Sequence, residues 1–213
     1  MKILKTLFKN NLFYGILFNF RVKQNQNKEI KKWNSKGNPL PPPHEYKQRI
    51  ITEYSMRFRL KTFVETGTFM GFMIEIMKYR FKKIISIELD QKLFESVTAK
   101  FLNEKKITIL QGDSSKVLPV ILKELNEPTL FWLDGHYSEG ITAKGDLNTP
   151  ILGELKSILT HHVDDHVVLV DDARCFTGKN DYPTIAQLET YVRAHKQGLS
   201  FTVENDIIRI HNN

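Results

Sequence analysis

The sequence predicts an α/β domain: a doubly wound, mostly parallel sheet closed by a C-terminal antiparallel hairpin. Three observations carry this. Short β-rich runs alternate five times with helix-length segments whose apolar residues recur at helical spacing. The last two β-rich runs are separated by only Glu204-Asn205-Asp206, which suits a hairpin and not a crossover. Finally, 213 residues at 41% apolar and 26% charged make one globular domain with a sizeable core, which rules out a disordered tail or a fibre.

In chain order, Lys61 to Glu65 is the first strand, and Gly71 to Tyr79 carries its helix. Lys83 to Glu88 is the second strand, followed by a helix over Gln91 to Asn103 with Asp90 as N-cap. Ile107 to Gln111 is the third strand and Ser114 to Leu125 its helix. Thr129 to Asp134 is the fourth; after a polar loop, Thr149-Pro150 opens a helix with Ile151, Leu152, Leu155, Ile158 and Leu159 as its buried stripe. Val167 to Asp171 is the fifth strand, Thr184 to Lys196 the next helix, and Leu199 to Val203 with Ile207 to His211 the hairpin. No internal repeat interrupts this order.

Charge divides the chain in two. Residues 1–60 hold 13 of the 31 basic residues and 3 of the 24 acidic ones, so the basic excess lies in an N-terminal arm and the body is mildly acidic. That argues against a nucleic-acid-binding body. In residues 1–21, lysines alternate with apolar residues, and the longest uncharged run, Asn10 to Phe20, is 11 residues, far below the roughly 20 that span a bilayer. Two readings stay open for it: a basic amphipathic helix on an anionic membrane surface, or a helix docked on the domain or on a second subunit. Val22 to Pro43 is polar and ends in Pro39-Leu40-Pro41-Pro42-Pro43, which predicts an extended linker, with residues 1–43 as arm and linker and 44–213 as the folded domain. The single cysteine, Cys175, excludes a disulfide framework and fits a reducing, cytoplasmic setting.

Ligands of such sheets bind at the carboxyl ends of the strands, so the residues just after each strand are the candidates. After the first comes Glu65-Thr66-Gly67-Thr68-Phe69-Met70-Gly71, where two glycines four apart allow a tight turn. The G-x-x-x-G spacing differs from the G-x-G-x-x-G of dinucleotide sites. Glu88 ends the second strand, 21 residues beyond Gly67, where an acid can accept hydrogen bonds from ribose hydroxyls. Asp113 and Ser114 follow the third strand and can meet an adenine amino group.

From about Thr62 to His211 this assembly resembles the class I S-adenosylmethionine (SAM)-dependent methyltransferases, whose fold is Rossmann-like. The resemblance implies that Glu65, Thr66, Gly67, Thr68 and Gly71 wrap the methionine part of SAM. It further implies that Glu88 takes the ribose, that Asp113 and Ser114 line the adenine, and that Asp134 borders the pocket. One position departs from the family's E-x-G-x-G-x-G pattern: Phe69 stands where the middle glycine is common.

Asp134, Asp171 and Asp172 end the fourth and fifth strands. In a parallel sheet the three carboxylates converge, and hard oxygen ligands suit Mg²⁺ or another divalent cation. That pattern is similar to metal-dependent O-methyltransferases of the catechol and macrolide-sugar types; alternatively, Asp171-Asp172 cap the next loop. His136, two residues after Asp134, has a near-neutral reference pKa and suits the general base, with Asp134 beside it in the catalytic set, or a loop hydrogen bond. Tyr137 to Asn148 reads as a lid, and Arg174, Lys179, Asp181 and Tyr182 offer polar groups to a sugar or other hydroxylated acceptor. The expected activity is SAM-dependent O-methylation of a glycan or small molecule, with the protein as a monomer or homo-oligomer. The alternatives are a nucleic-acid methyltransferase using the basic arm, and a non-catalytic membrane-peripheral cofactor-binding protein.

Overall fold

A computed structural model describes residues 12–134 and 149–213. It contains one seven-stranded sheet of order β3-β2-β1-β4-β5-β7-β6, with β1 Thr62–Thr66, β2 Lys83–Glu88, β3 Ile107–Gln111, β4 Thr129–Leu133, β5 Val167–Val170, β6 Ser200–Glu204 and β7 Ile207–His211. The first five strands pair in parallel, and β7 pairs antiparallel to both β5 and β6. The helices are α1 Leu12–Asn34, α2 His44–Arg57, α3 Phe72–Met77, α4 Gln91–Phe101, α5 Ser114–Leu122, α6 Ile151–Leu159 and α7 Ile185–His195. Mostly parallel sheet, antiparallel closing pair and helices on both faces agree with the fold read from the sequence.

Period-two alternation sorts the strands between two cores. Val64, Ile87, Phe131, Leu133 and Val168 face α5, α6 and α7. Phe63, Ile84, Leu130, Trp132 and Leu169 face α1, α2, α3 and α4. Strand order reverses between β1 and β4, so a crevice opens there at the carboxyl edge.

Helix boundaries follow local chemistry. Asp90 caps α4 by accepting the Leu93 N–H at 2.9 Å, as its sequence position predicts. Thr184 and Gln187 form a reciprocal capping box at the start of α7. Pro150, and not Thr149, is the N-cap of α6, so the helix begins one residue later than the sequence predicts; Thr149 Oγ1 still accepts the Ile151 N–H at 3.3 Å.

The region expected to be an extended linker is different. Val22 to Asn34 continues α1 as helix, and the extended segment is confined to residues after Gly37. Phe18, Val22, Gln26, Ile30 and Trp33 recur every three or four residues and make one inward stripe. Ile30 and Trp33 are buried, the Trp33 ring lies 4.8 Å from Tyr46 of α2 at a 50° tilt, and its indole N–H donates to the Pro39 carbonyl at 2.7 Å. Farther along, Phe18 lies 4.4 Å from Tyr79, and Gln26 donates to Gln48 at 3.1 Å. The polar look of the stretch comes from its outer face, and a glutamine inside the stripe hides the period. Residues 1–11 lie outside the described residues. No helix among the described residues is long and apolar enough to cross a membrane.

Trp33 fastens α1 to the body, so Trp33→Ala should destabilise the protein by about 3 kcal/mol through the cavity it leaves. Urea unfolding with an unchanged midpoint would show that α1 is not part of the cooperative unit.

Candidate functional site

Five parallel strands deliver their ends to one edge in register. The Gly67 N–H donates to Ile87 O at 3.0 Å and the Gly112 N–H to Glu88 O at 2.9 Å, while the Asp134 N–H reaches Thr66 O at 3.1 Å and the Asp171 N–H reaches Leu133 O at 3.0 Å. The ladder thus runs one residue past each strand and lines up the segments that the sequence marks as candidates.

The turn after β1 needs its glycines. Gly67 and Gly71 have φ of 83° and 68°, in the left-handed region where a Cβ clashes with backbone. A Cβ on Gly71 would also lie 2.8 Å from the Phe101 ring of α4. Phe69, at the position where a glycine is common, itself holds φ 50°. Its side chain is partly exposed and its N–H donates to Glu88 Oε2 at 2.7 Å. The loop therefore keeps its left-handed turn without the middle glycine, and a carboxylate of the next strand offsets the strain.

Glu88 is buried at the end of β2, with Oε1 accepting the Asp90 N–H at 2.9 Å. Burial holds its carboxyl above the usual range, opposed by these N–H donors. Each carboxylate oxygen retains a second lone pair for an outside donor. Asp113 spends one oxygen on capping α5: Oδ1 accepts Ser115 N–H at 2.9 Å and Ser115 Oγ at 2.7 Å. Ser114 is buried at the start of that helix.

Beneath the turn lie two buried acids. Glu65 accepts from Ser86 Oγ at 2.7 Å, and Ser86 Oγ lies 2.5 Å from Thr68 Oγ1. Burial pushes Glu65 up to about 8. Glu154, only 1% exposed, sits in the first turn of α6 facing Ser114 and Thr66, and burial pushes it up to about 7. Its Oε1 and the Thr66 Oγ1 are buried near each other but do not meet hydrogen-bond geometry, so neither is fully served. Orphaned polar atoms at the base of a crevice are positions where a polar ligand group fits. The sequence reading passed over Glu154, though its place between Ile151 and Leu155 on the buried stripe was a usable signal: an acid at a core position.

On the other side of the crevice, Asp134, Asp171 and Asp172 line one pocket with Thr149, Glu154 and Tyr182. Their surroundings are cationic. Lys47 of α2 places Nζ 2.5 Å from Asp171 Oδ2 and 3.6 Å from Asp172 Oδ1. Arg174 pairs with Asp172 Oδ1 at 2.7 Å and with Asp206 of the hairpin turn. Burial works against the Lys47 ammonium, but Asp171, Asp172 and Asp134 together more than offset it and hold the lysine above its ordinary value. Burial and the Asp134 charge push Asp171 upward, a tension that Lys47 relieves. Asp172 adopts φ 55°, and its N–H closes onto Asp171 Oδ1 at 2.9 Å.

This donor set does not fit the divalent cation expected at Asp134, Asp171 and Asp172. Among the described residues no three His, Cys, Asp or Glu side chains form a group able to hold a metal. The positive charge beside Asp171 comes instead from Lys47, 2.5 Å away. The lysine was not among the sequence candidates because it comes from the arm side of the chain and reaches the site only through packing of α2.

Of the remaining candidates, His136 and the Tyr137 to Asn148 segment lie outside the described residues. Arg174 serves the Asp172 and Asp206 carboxylates, and Tyr182 packs edge-on against Phe176 at 5.2 Å. His161 sits at the opposite, amino edge of the sheet. There it meets His166 at 2.8 Å and the Leu122 carbonyl at 2.8 Å.

The two buried acids make stability pH-dependent in a definite direction. Between about 4.5 and their raised native values, the folded state keeps protons that the unfolded chain has released. Stability therefore falls as pH rises through that window, with a limiting slope of about 1.4 kcal/mol per pH unit for each group. Denaturant titrations from pH 4.5 to 8 should show a flatter profile for Glu154→Gln and for Glu65→Gln than for the parent; equal slopes would mean that these acids are solvated.

No protein-family model matches the chain, and no curated protein matches it by sequence. Solved structures do. An O-methyltransferase from Bacillus cereus in complex with SAH superposes with a TM-score of 0.58 at 11% identity, covering 89% of this chain and 91% of that one. The O-methyltransferase TomG from Streptomyces achromogenes, involved in tomaymycin synthesis and solved with SAM, gives 0.56 at 14% identity over 88% and 89%. The SAH-bound methyltransferase PaMTH1 from Podospora anserina gives 0.55 at 14% over 91% and 94%. The chain has the class I methyltransferase fold.

Proposed function

We propose that this protein is a SAM-dependent O-methyltransferase acting on a hydroxylated small molecule or glycan. The observation that carries the reading is the left-handed turn at Gly67 to Gly71, clamped by Glu88 at the point where strand order reverses. The solved structures of this fold that hold SAM or SAH support it.

In this reading Glu65, Thr66, Gly67, Thr68 and Gly71 hold the methionine end of SAM, Glu88 the ribose, and Asp113 with Ser114 the adenine edge. SAM, when bound, supplies an electrophilic methyl group. The protein then has to orient an acceptor oxygen in line and take its proton. His136 is the assigned base, placed by the chain two residues beyond Asp134. A pocket rimmed by Asp134, Asp171, Asp172, Thr149 and Tyr182 offers hydrogen-bonding groups and suits a sugar or polyol better than a flat apolar ring. A divalent cation has no part in the proposal, because Lys47 and Arg174 already serve the aspartates it would need.

Calorimetry with SAH tests the cofactor half. The parent should bind, and Gly67→Arg should lose at least a hundredfold in affinity, since a side chain both strains the turn and fills the cleft. Absence of SAH binding by the folded parent would end the reading. His136→Ala should lower kcat by about 10²- to 10⁴-fold while SAH affinity stays near the parent's. A labelled methyl donor offered with sugars and polyols reads both the rate and the acceptor class.

A further inference from the structure

We propose that the Lys47 ammonium takes the place of a divalent cation in this protein, making the acceptor end of the cleft a metal-independent site with a built-in monovalent charge. The inference rests on the methyltransferase reading for its setting, but its central observation is local.

Three carboxylates end β4 and β5 on adjacent strands, and such a cluster requires a counter-charge within a few ångströms. The charge comes from α2. Lys47 Nζ lies 2.5 Å from Asp171 and 3.6 Å from Asp172, with the lysine side chain 15% exposed and the Asp171 side chain 1%. An ammonium has three donors. One is spent on Asp171, Asp172 lies beyond hydrogen-bond range at 3.6 Å, and the side chain is 15% exposed beside the aspartates that line the pocket.

The position of Lys47 is built. One face of α2 is pinned by α1 through Trp33 against Tyr46 and through Gln26 to Gln48. Tyr46 Oη also accepts from Asn205 Nδ2 at 2.6 Å, which ties α2 to the turn that supplies Asp206. Asp206 in turn holds Arg174 against Asp172. α1 and the terminal hairpin thus brace the helix that carries Lys47, and Arg174 shares Asp172 with it.

The chemical consequence concerns the acceptor. A metal gathers two vicinal oxygens into one coordination shell, whereas an ammonium offers separate N–H donors that need no chelating pair. The site therefore does not require a vicinal diol.

Mn²⁺ alone is the probe, followed by equilibrium dialysis and by the loss of its free-ion electron-paramagnetic signal, on full-length protein. The parent should take up no stoichiometric Mn²⁺. Lys47→Ala, which removes the ion pair of Asp171, should bind one equivalent at least tenfold more tightly, and Asp171→Asn added to it should abolish that gain. If Lys47→Ala does not fold, Lys47→Gln removes the charge at near-constant volume and is read the same way. One equivalent of Mn²⁺ bound by the parent and lost in Asp171→Asn overturns the proposal, as does a folded lysine variant that gains no Mn²⁺. SAH calorimetry on the same samples separates the two claims, because failure to bind SAH removes the methyltransferase reading without altering the Mn²⁺ result.

Discussion

The carboxylate of Glu88 is the contact around which the cleft is organised. It ends β2, receives the Phe69 N–H from the turn after β1 and the Asp90 N–H from its own turn, and so fixes two neighbouring loops with one buried group. A buried carboxylate is tolerated only when its lone pairs are served, and here the backbone serves them while leaving acceptor capacity toward the crevice. The same bond holds Phe69 in a left-handed conformation that a phenylalanine alone would avoid. Loop shape and ligand-facing acid are therefore one construction.

Across the crevice the problem is electrostatic. Asp134, Asp171 and Asp172 stand side by side because parallel strands end together, and their proximity calls for a counter-charge. The fold answers with side chains: Lys47 from one layer and Arg174 braced by Asp206 from the hairpin. A helix that would otherwise be an appendage thereby becomes part of the site, and this couples α1 and α2 to the chemistry through packing.

Much of this was legible in the chain. All seven strands appear within a residue or two of where β-rich runs stood, and Asp90 and Thr184 begin helices as their side chains dictate. Gly67, Gly71 and Glu88 sit where their spacing put them, because a glycine turn between strand and helix and an acid at the next strand end are local features. The linker reading of Val22 to Asn34 did not survive: a stripe containing Gln26, with a polar outer face, gives little periodic signal until Trp33 finds Tyr46. Glu154 was likewise hidden among apolar neighbours of α6.

The sequence by itself determined the order of elements, the turn that demands glycine and the acids at the strand ends, since each depends on backbone sterics or period within a few residues. Tertiary structure alone decided what those acids face. Lys47 and Asp171 are 124 residues apart in the chain, and their 2.5 Å ion pair exists only because α2 packs over the ends of β4 and β5. Charge type is written locally; which charges meet is set by how the layers stack.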